Sequence, residues 1–431
     1  MKIGLYKIEV CLLFAIIALQ FFAAGCGKKA PQSSSPQESK TDNTPKVADR
    51  QLESFQGQLL DTAIEIAGNI SAAKPYIKDR CRTQKNVVDI CLKLDQPVRS
   101  VKYANMIQDW RKGLCYANIA YYLADNGFKY DQIEGGLDFA EKISAMDHGK
   151  KWRNDRIKAR IAQVYLLLGM PDKVAHFTTD LTSSENRFTT VKPLTDQIDD
   201  ETFNKRIKVL DEAVSFQEFE VIINALWAYT NLYNIVYDNP ERRTLVEEKI
   251  KTSWEKVPFN IRFDLVMQLA DYSLSHSDKD KALALADELQ DMIDNYRWFP
   301  EEQVKLYASL AGLHLRAGDK GNARLSVDKG IALFQARKSE IKNTDRASTL
   351  CPIAEVYQLI GESEIALSLY NQAVEESMDN PNPSPRSEDL SAICCSMALT
   401  AAEPDDEFFQ RIRQIGIELD RQWEQVAQIF E

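Results

Sequence analysis

From Tyr307 to Ala373 large and small residues recur at fixed places. Tyr307, Leu310 and His314 fall three and four positions apart, on one face of a helix, and are followed by Gly318 and then by Ala323, Val327 and Gly330. The same order returns 43 residues later as Leu350, Ile353, Tyr357, Gly361, Ala366, Tyr370 and Ala373, with Ala311 and Ala354 also in register. Self-similarity at such a period predicts stacked helix pairs. The glycines end the first helix of each pair by accepting a left-handed backbone. The small residues let the second helix close on the first.

The same spacing runs through much of the chain. Tyr116, Ile119, Ala120, Leu123 and Gly127 predict a first helix, with Leu137, Ala140 and Ile143 on its partner. Ile161, Ala162, Tyr165 and Gly169 follow 42 residues later, and Pro171 opens the next helix. Upstream, residues 52–77 predict a helix through Leu59, Leu60, Ala63, Ile64, Ile66 and Ala67, and Ile90 to Leu94 the beginning of another. The polar stretch 182–201 predicts a long loop. A helix from about Phe216 to Tyr237 restarts the array, and Leu265 to Ser277 with Ala282, Leu285 and Ala286 adds a unit. Asp379 to Arg386 reads as a second, proline-rich loop before a closing pair, Leu390 to Ala401 and Phe408 to Ile429. Strand-like alternation is missing throughout. The expected fold is all-α, antiparallel helix pairs stacked as a solenoid.

The order of large and small residues in the units at Tyr307 and Leu350 resembles the tetratricopeptide repeat. The period of 41 to 43 residues exceeds that family's about 34, and Pro352 falls where a first helix should be continuous. The resemblance implies a right-handed solenoid that binds a protein on its concave face, without naming the partner. Carried over by position, the inner surface includes Tyr121, Arg156, Asp264, Asp271, Lys305, Arg316, Ser348 and Glu355. Of these Tyr121, Arg156, Asp271, Lys305, Arg316 and Glu355 are the candidate partner contacts.

Composition sharpens the class. With 44% hydrophobic and 27% charged residues in 431, the chain can bury a substantial core. The formal charge is −11, and −12 without residues 1–25, which argues against nucleic acid, whose readers carry a basic stripe. Lys2 and Lys7 precede an apolar run from Val10 to Ala24 that ends in Ala23-Ala24-Gly25-Cys26. This start resembles a bacterial lipoprotein signal, which implies cleavage, lipidation of Cys26 and a surface anchored to a membrane without a spanning helix. Residues 26–50, rich in Pro, Ser, Gln and charge, then read as a tether with a reach of roughly 25–30 Å. The expected organisation is a signal peptide at 1–25, a tether at 26–50 and a helical-repeat domain at 51–431, divisible into two sub-arrays at the 182–201 stretch. The expected partners are envelope proteins on the periplasmic or outer side of a membrane.

Candidate chemistry is sparse. Leaving aside Cys11 and Cys26, the cysteines are Cys81, Cys91, Cys115, Cys351, Cys394 and Cys395, without zinc spacing. Cys81 and Cys91 could bridge from different helices, but on one helix they would stand about 15 Å apart, as buried thiols. His148, His176, His276 and His314 are scattered, and His314 takes a core position of its repeat. Asp199-Asp200-Glu201 and Asp405-Asp406-Glu407 precede helices, where caps and dipoles favour acids over a bound cation. Tyr229, Tyr233 and Tyr237, next to Trp227, form a stripe that suits core packing more than a peptide or sugar groove. No motif calls for a metal or cofactor. The reading is a non-catalytic scaffold or envelope assembly factor. Its rival is a helical-toroid carbohydrate-active enzyme or carbohydrate-binding lipoprotein; the enzyme would need two convergent carboxylates in a cleft.

Overall fold

The computed structural model describes residues 46–146, 148–179, 181, 198–216, 218–380 and 382–430. The expected signal peptide, Cys26, most of the tether and positions 182–197 of the long loop lie outside them. Among the described residues there are eighteen α-helices and no strand. The first seven are α1 (Ser54–Gly68), α2 (Ile77–Lys93), α3 (Pro97–Ala104), α4 (Arg111–Asp125), α5 (Tyr130–Ser144), α6 (Lys151–Leu167) and α7 (Pro171–Thr178). The next six are α8 (Asp200–Ser215), α9 (Phe219–Ile235), α10 (Pro240–Ser253), α11 (Phe259–Ser275), α12 (Lys279–Asn295) and α13 (Pro300–Arg316). The last five are α14 (Lys320–Arg337), α15 (Asn343–Ile360), α16 (Ser363–Met378), α17 (Pro383–Thr400) and α18 (Asp406–Phe430).

The repeat positions behave as their spacing predicts. Leu310, Ala311, Ala323, Val327, Leu350, Ile353, Ala354, Ala366, Tyr370 and Ala373 are fully buried. Gly127, Gly169, Gly318 and Gly361 end α4, α6, α13 and α15 with φ between 69° and 104°. A Cβ on Gly330 would lie 2.7 Å from Ile353 Cδ1, so α14 approaches its neighbours closely only because that position is bare. Side-chain bonds repeat with the period as well. Tyr103 to Asp61, Lys173 to Tyr130, Tyr272 to Asn231, Lys256 to Val214 and Lys305 to Ser348 each join residues 41 to 43 positions apart.

Several boundaries differ from the sequence reading. Ile90 to Leu94 ends α2 rather than opening a helix, and α1 stops at Gly68 instead of running to Ile77. The array restarts at Asp200, where Asp199 caps α8, and not at Phe216. Proline misled the reading at Asp379 to Arg386. Pro383 is the first residue of α17, where a missing N–H leaves nothing unpaired. Pro352 lies inside α15 and the helix runs through it, without the bond Ser348 would otherwise accept.

The larger correction concerns order. Alternate helices touch to form one inner layer that runs α9, α11, α13, α15, α17, α2, α4, α6. The chain enters this layer in its second half and returns to it in its first. The partner of α17 is α1 from the opposite end of the chain, packed against it as closely as consecutive helices pack elsewhere. Gln56 Nε2 donates to Ala398 O at 2.7 Å, and Ser391 Oγ to Ala63 O at 3.0 Å. Arg82 on α2 meets both carboxylate oxygens of Glu388 on α17 at 2.8 Å. The expected closing pair is therefore split. From Leu390 to Ala398 every residue of α17 except Ala392 is buried, Ser391 and Ser396 included, so this part of the helix is covered on several sides. The second member, α18, packs Phe408, Ile412 and Ile415 inward and bonds Arg411 to Glu375 of α16.

Two apolar cores result. One spans α8 to α13, and the other joins α1–α7 to α13–α18, so the two cores meet along α13 and the first and last described helices share one of them.

Candidate binding site

The inner layer gathers polar residues from distant parts of the sequence. On α4, Tyr121 lies under the guanidinium of Arg160 from α6, with Cζ 4.7 Å from the ring centre. One turn earlier on α4, Asn118 Nδ2 donates to Asp89 Oδ1 on α2 at 3.3 Å. The other oxygen of Asp89 takes an ion pair from Lys85 at 2.5 Å. Lys93 follows Asp89 by one turn and lies within electrostatic reach of Asp89 and of Glu355 on α15. Glu355 Oε1 accepts from Ser396 Oγ of α17 at 2.7 Å. Five inner helices thus contribute to one recess beside the α1–α17 seam.

Burial dominates its electrostatics. It pushes the Lys93 ammonium below its ordinary range, against the opposing pull of Asp89 and Glu355. Burial also lowers Arg160, opposed by Tyr121 and Asp89. Glu355 is pushed up by burial, opposed by the Ser396 hydroxyl and Lys93. These groups stand away from bulk water, where a charge interacts more strongly with whatever meets it.

The residues singled out from sequence divide into two sets. Tyr121 and Glu355 belong to the recess. Arg156 lies one turn before Arg160 and covers the Trp152 ring, with Cζ 5.5 Å from its centre. Asp271, Arg316 and Lys305 sit farther along the layer and face neighbouring helices: Arg316 Nη2 pairs with Asp271 Oδ1 at 2.6 Å, and Lys305 Nζ donates to Ser348 Oγ at 3.2 Å. The sequence reading missed Arg160, because the repeat register carried over Arg156 on that helix and not the arginine one turn on. It missed Asp89 because that helix had been started at Ile90, and Lys93 because the short stretch to Leu94 had been given no repeat register.

Elsewhere the structural readings hold. Tyr229, Tyr233 and Tyr237 are buried core. So is His314, whose imidazole burial depresses. Asp199 accepts from Thr202 N and Asp405 from Phe408 N, each at 2.7 Å, as helix caps. Among the described residues no cluster of three or more His, Cys, Asp or Glu could hold a metal ion. The six described cysteines are buried and none forms a disulfide; Cys81 and Cys91 share α2, and burial pushes the Cys394 thiol up to about 12. Asp264 on α11 stands alone on the inner layer, pushed up to about 6 by burial. Two clefts, of about 220 and 520 Å³, lie away from the recess, lined by residues such as Trp254 and Tyr296 or Asp287 and Lys329.

No family model matches the chain, and no curated protein is similar to it. One similar solved structure is described as a circular tandem repeat protein with novel repeat topology and enhanced subunit contact surfaces. It is 13% identical, the alignment covers 87% of this chain and 96% of that one, and the TM-score is 0.31. That score is too low for anything to be transferred from it. The helices and their contacts themselves define an all-α solenoid of stacked pairs.

Proposed function

We propose that this is a lipid-anchored scaffold that binds an envelope protein on its concave layer and performs no chemistry of its own. The observation that carries the reading is the polar stretch of the inner layer at the seam, where Arg160 of α6 covers Tyr121 of α4 and Lys93 of α2 lies within electrostatic reach of Glu355 on α15. Stacked helix pairs offer such a surface with little ordering left to do on binding. The anchor rests on Ala23-Ala24-Gly25-Cys26 and on the tether after it. Among the described residues no helix is long and apolar enough to cross a membrane. An assembly factor for other envelope proteins would use the same surface and differ only in its cargo.

The rival glycosidase-type enzyme would require two carboxyls on either side of one bond. Three carboxyls on inner-layer helices are raised by burial, Asp264 on α11, Glu302 on α13 and Glu355 on α15, and none of the three is a charge neighbour of another. The lack of a coupled pair favours binding over catalysis. The test is crosslinking in intact cells, purification and mass spectrometry, with Cys26→Ala as the anchor control. A reproducible envelope partner, together with release of the Cys26→Ala protein from membranes, is the expected result. Absence of any partner above background would sink the scaffold, and a Cys26→Ala protein that stayed on membranes would sink the anchor.

A further inference from the structure

We infer that the cleft between α12 and α14 is a guanidinium site, which takes an arginine side chain or a free guanidino compound from outside the chain. Elsewhere in the structure the fold builds the same kind of site and fills it itself. Tyr357 on α15 donates to Asp328 Oδ1 on α14 at 2.5 Å. Arg324 completes the group, with Nε 2.9 and 3.0 Å from the two oxygens of Asp328 and Cζ 5.2 Å from the centre of the Tyr357 ring. Tyr103, Asp61 and Arg99 form a second such triad, and Tyr237, Asp278 and Arg243 a third. In each, a carboxylate and an aromatic ring share one arginine.

One repeat earlier the arginine is missing. The caps Asp278 and Asp319 open α12 and α14 at positions 41 residues apart, which puts Asp287 in register with Asp328 and Leu283 where Arg324 stands. On α13, His314 holds the place of Tyr357, four residues before the glycine that ends its helix. Asp287 and His314 line a cleft of about 520 Å³, together with Gln290 from α12 and Leu325, Asp328 and Lys329 from α14. Asp287 makes no hydrogen bond or ion pair among the described residues. The other charges of the cleft are taken up: Asp328 by Arg324 and Tyr357, and Lys329 by Asp294 at 3.8 Å. His314 is only 6% exposed and makes no hydrogen bond among the described residues; a carboxylate oxygen, Asp319 Oδ2, stands 3.9 Å from its Nδ1. That carboxylate favours the proton on Nδ1, which leaves Nε2 to accept. Burial depresses the imidazole against the pull of Asp319 and Asp287, so the ring is neutral at pH 7. A guanidinium suits the pair because it brings one charge for Asp287 and several N–H donors, of which the imidazole can take one. The formal charge of −11 draws cations toward the chain, in keeping with such a ligand. The cleft is built by helices away from the seam, so it stands independently of the scaffold reading.

The test uses the full-length chain and ligand-observed NMR titrations with four probes: a capped tripeptide with arginine between two glycines, the same peptide with citrulline or with lysine in place of arginine, and agmatine. Saturable binding of the arginine peptide or of agmatine is expected. The citrulline peptide, which keeps the shape and loses the charge, should bind at least tenfold more weakly. Whichever of the arginine peptide and agmatine binds tighter tells whether a protein side chain or a free small molecule is read. Asp287→Asn should weaken binding at least tenfold. Leu283→Arg supplies the cation from one turn away, as Arg324 does for Asp328, and should block the site. His314→Tyr introduces the residue that stands at this position in the next repeat and should block the cleft as well. Thermal unfolding of these two variants should match or exceed that of the parent, so that their loss of binding reads the site and not the fold. If neither guanidinium probe binds, or the citrulline or lysine peptide binds as tightly as the arginine one, the inference is wrong. Folded Asp287→Asn and Leu283→Arg proteins that bind as the parent does would overturn it too.

Discussion

Gln56 and Ala398 stand 342 residues apart in the chain, yet the side-chain amide of the first donates to the carbonyl of the second at 2.7 Å. The bond lies inside the contact that joins α1 to α17, and Gln56 is buried around it. Gln56→Leu should therefore lower stability by about 1–2 kcal/mol, the usual effect of stranding a buried polar partner. Urea unfolding measures it. Hydrogen exchange should show faster opening of both α1 and α17; an effect on α1 alone would contradict a shared repeat.

Gly330 makes a second prediction. An added Cβ would meet Ile353 Cδ1 at 2.7 Å and Tyr307 Cβ at 3.3 Å, both in the core. Gly330→Ala should destabilise by about 1–3 kcal/mol through overpacking. Ile353→Val removes the colliding methyl, so the double variant should lose less than the two single losses added together. Additive losses in a double-mutant cycle would show that the helices simply move apart.

Left-handed positions separate glycine from other residues. Gly361 ends α15 at φ 104°, and Ala401 ends α17 at φ 52° with a Cβ that this conformation disfavours. Ala401→Gly should gain about 0.5–1 kcal/mol, and Gly361→Ala should lose about 1 kcal/mol or more. Thermal unfolding of the two variants should shift in opposite directions.

Asp264 supplies the pH dependence. Burial raises its carboxyl to about 6, against about 4 in an unfolded chain. Below about pH 4 both states are protonated and the burial of a charge is not at issue. From about 4 to 6 the unfolded chain ionises first, so this group makes stability fall as pH rises, with the full penalty present above about 6. Asp264→Asn should be about 1 kcal/mol more stable than the parent at pH 7, a figure kept low by the side chain's partial exposure, and equal to it near pH 3.5. Melting curves from pH 3.5 to 8 decide this, and parallel curves would mean the carboxyl titrates normally.

Much of the fold was legible because helix pairs are local. Tyr307 to Ala373 showed its period, its caps and its buried face before any coordinate, since helical spacing ties position in sequence to position on a face. Boundaries near proline were misread. Pro383 was taken as part of a loop when it begins a helix, and Pro352 was expected to interrupt one that continues. Two members of the candidate site were visible as well: Tyr121 and Glu355 follow from repeat register. Arg160, Asp89 and Lys93 did not, since Arg160 lies one turn beyond the position carried over and the helix of Asp89 and Lys93 had been started at Ile90 without a register.

The sequence by itself determined an all-α chain of paired helices and the residues that fill each pair. Only the tertiary structure decided that α17 takes α1 as its partner and that the inner layer passes through the meeting of the chain's two ends. The apolar run from Leu390 to Ala402 announces that α17 must be covered, but hydrophobic burial is non-directional and names no partner. The choice among all the chain's apolar faces is made by shape and by bonds such as those of Gln56, Ser391 and Arg82, which exist only once residues hundreds of positions apart have come together.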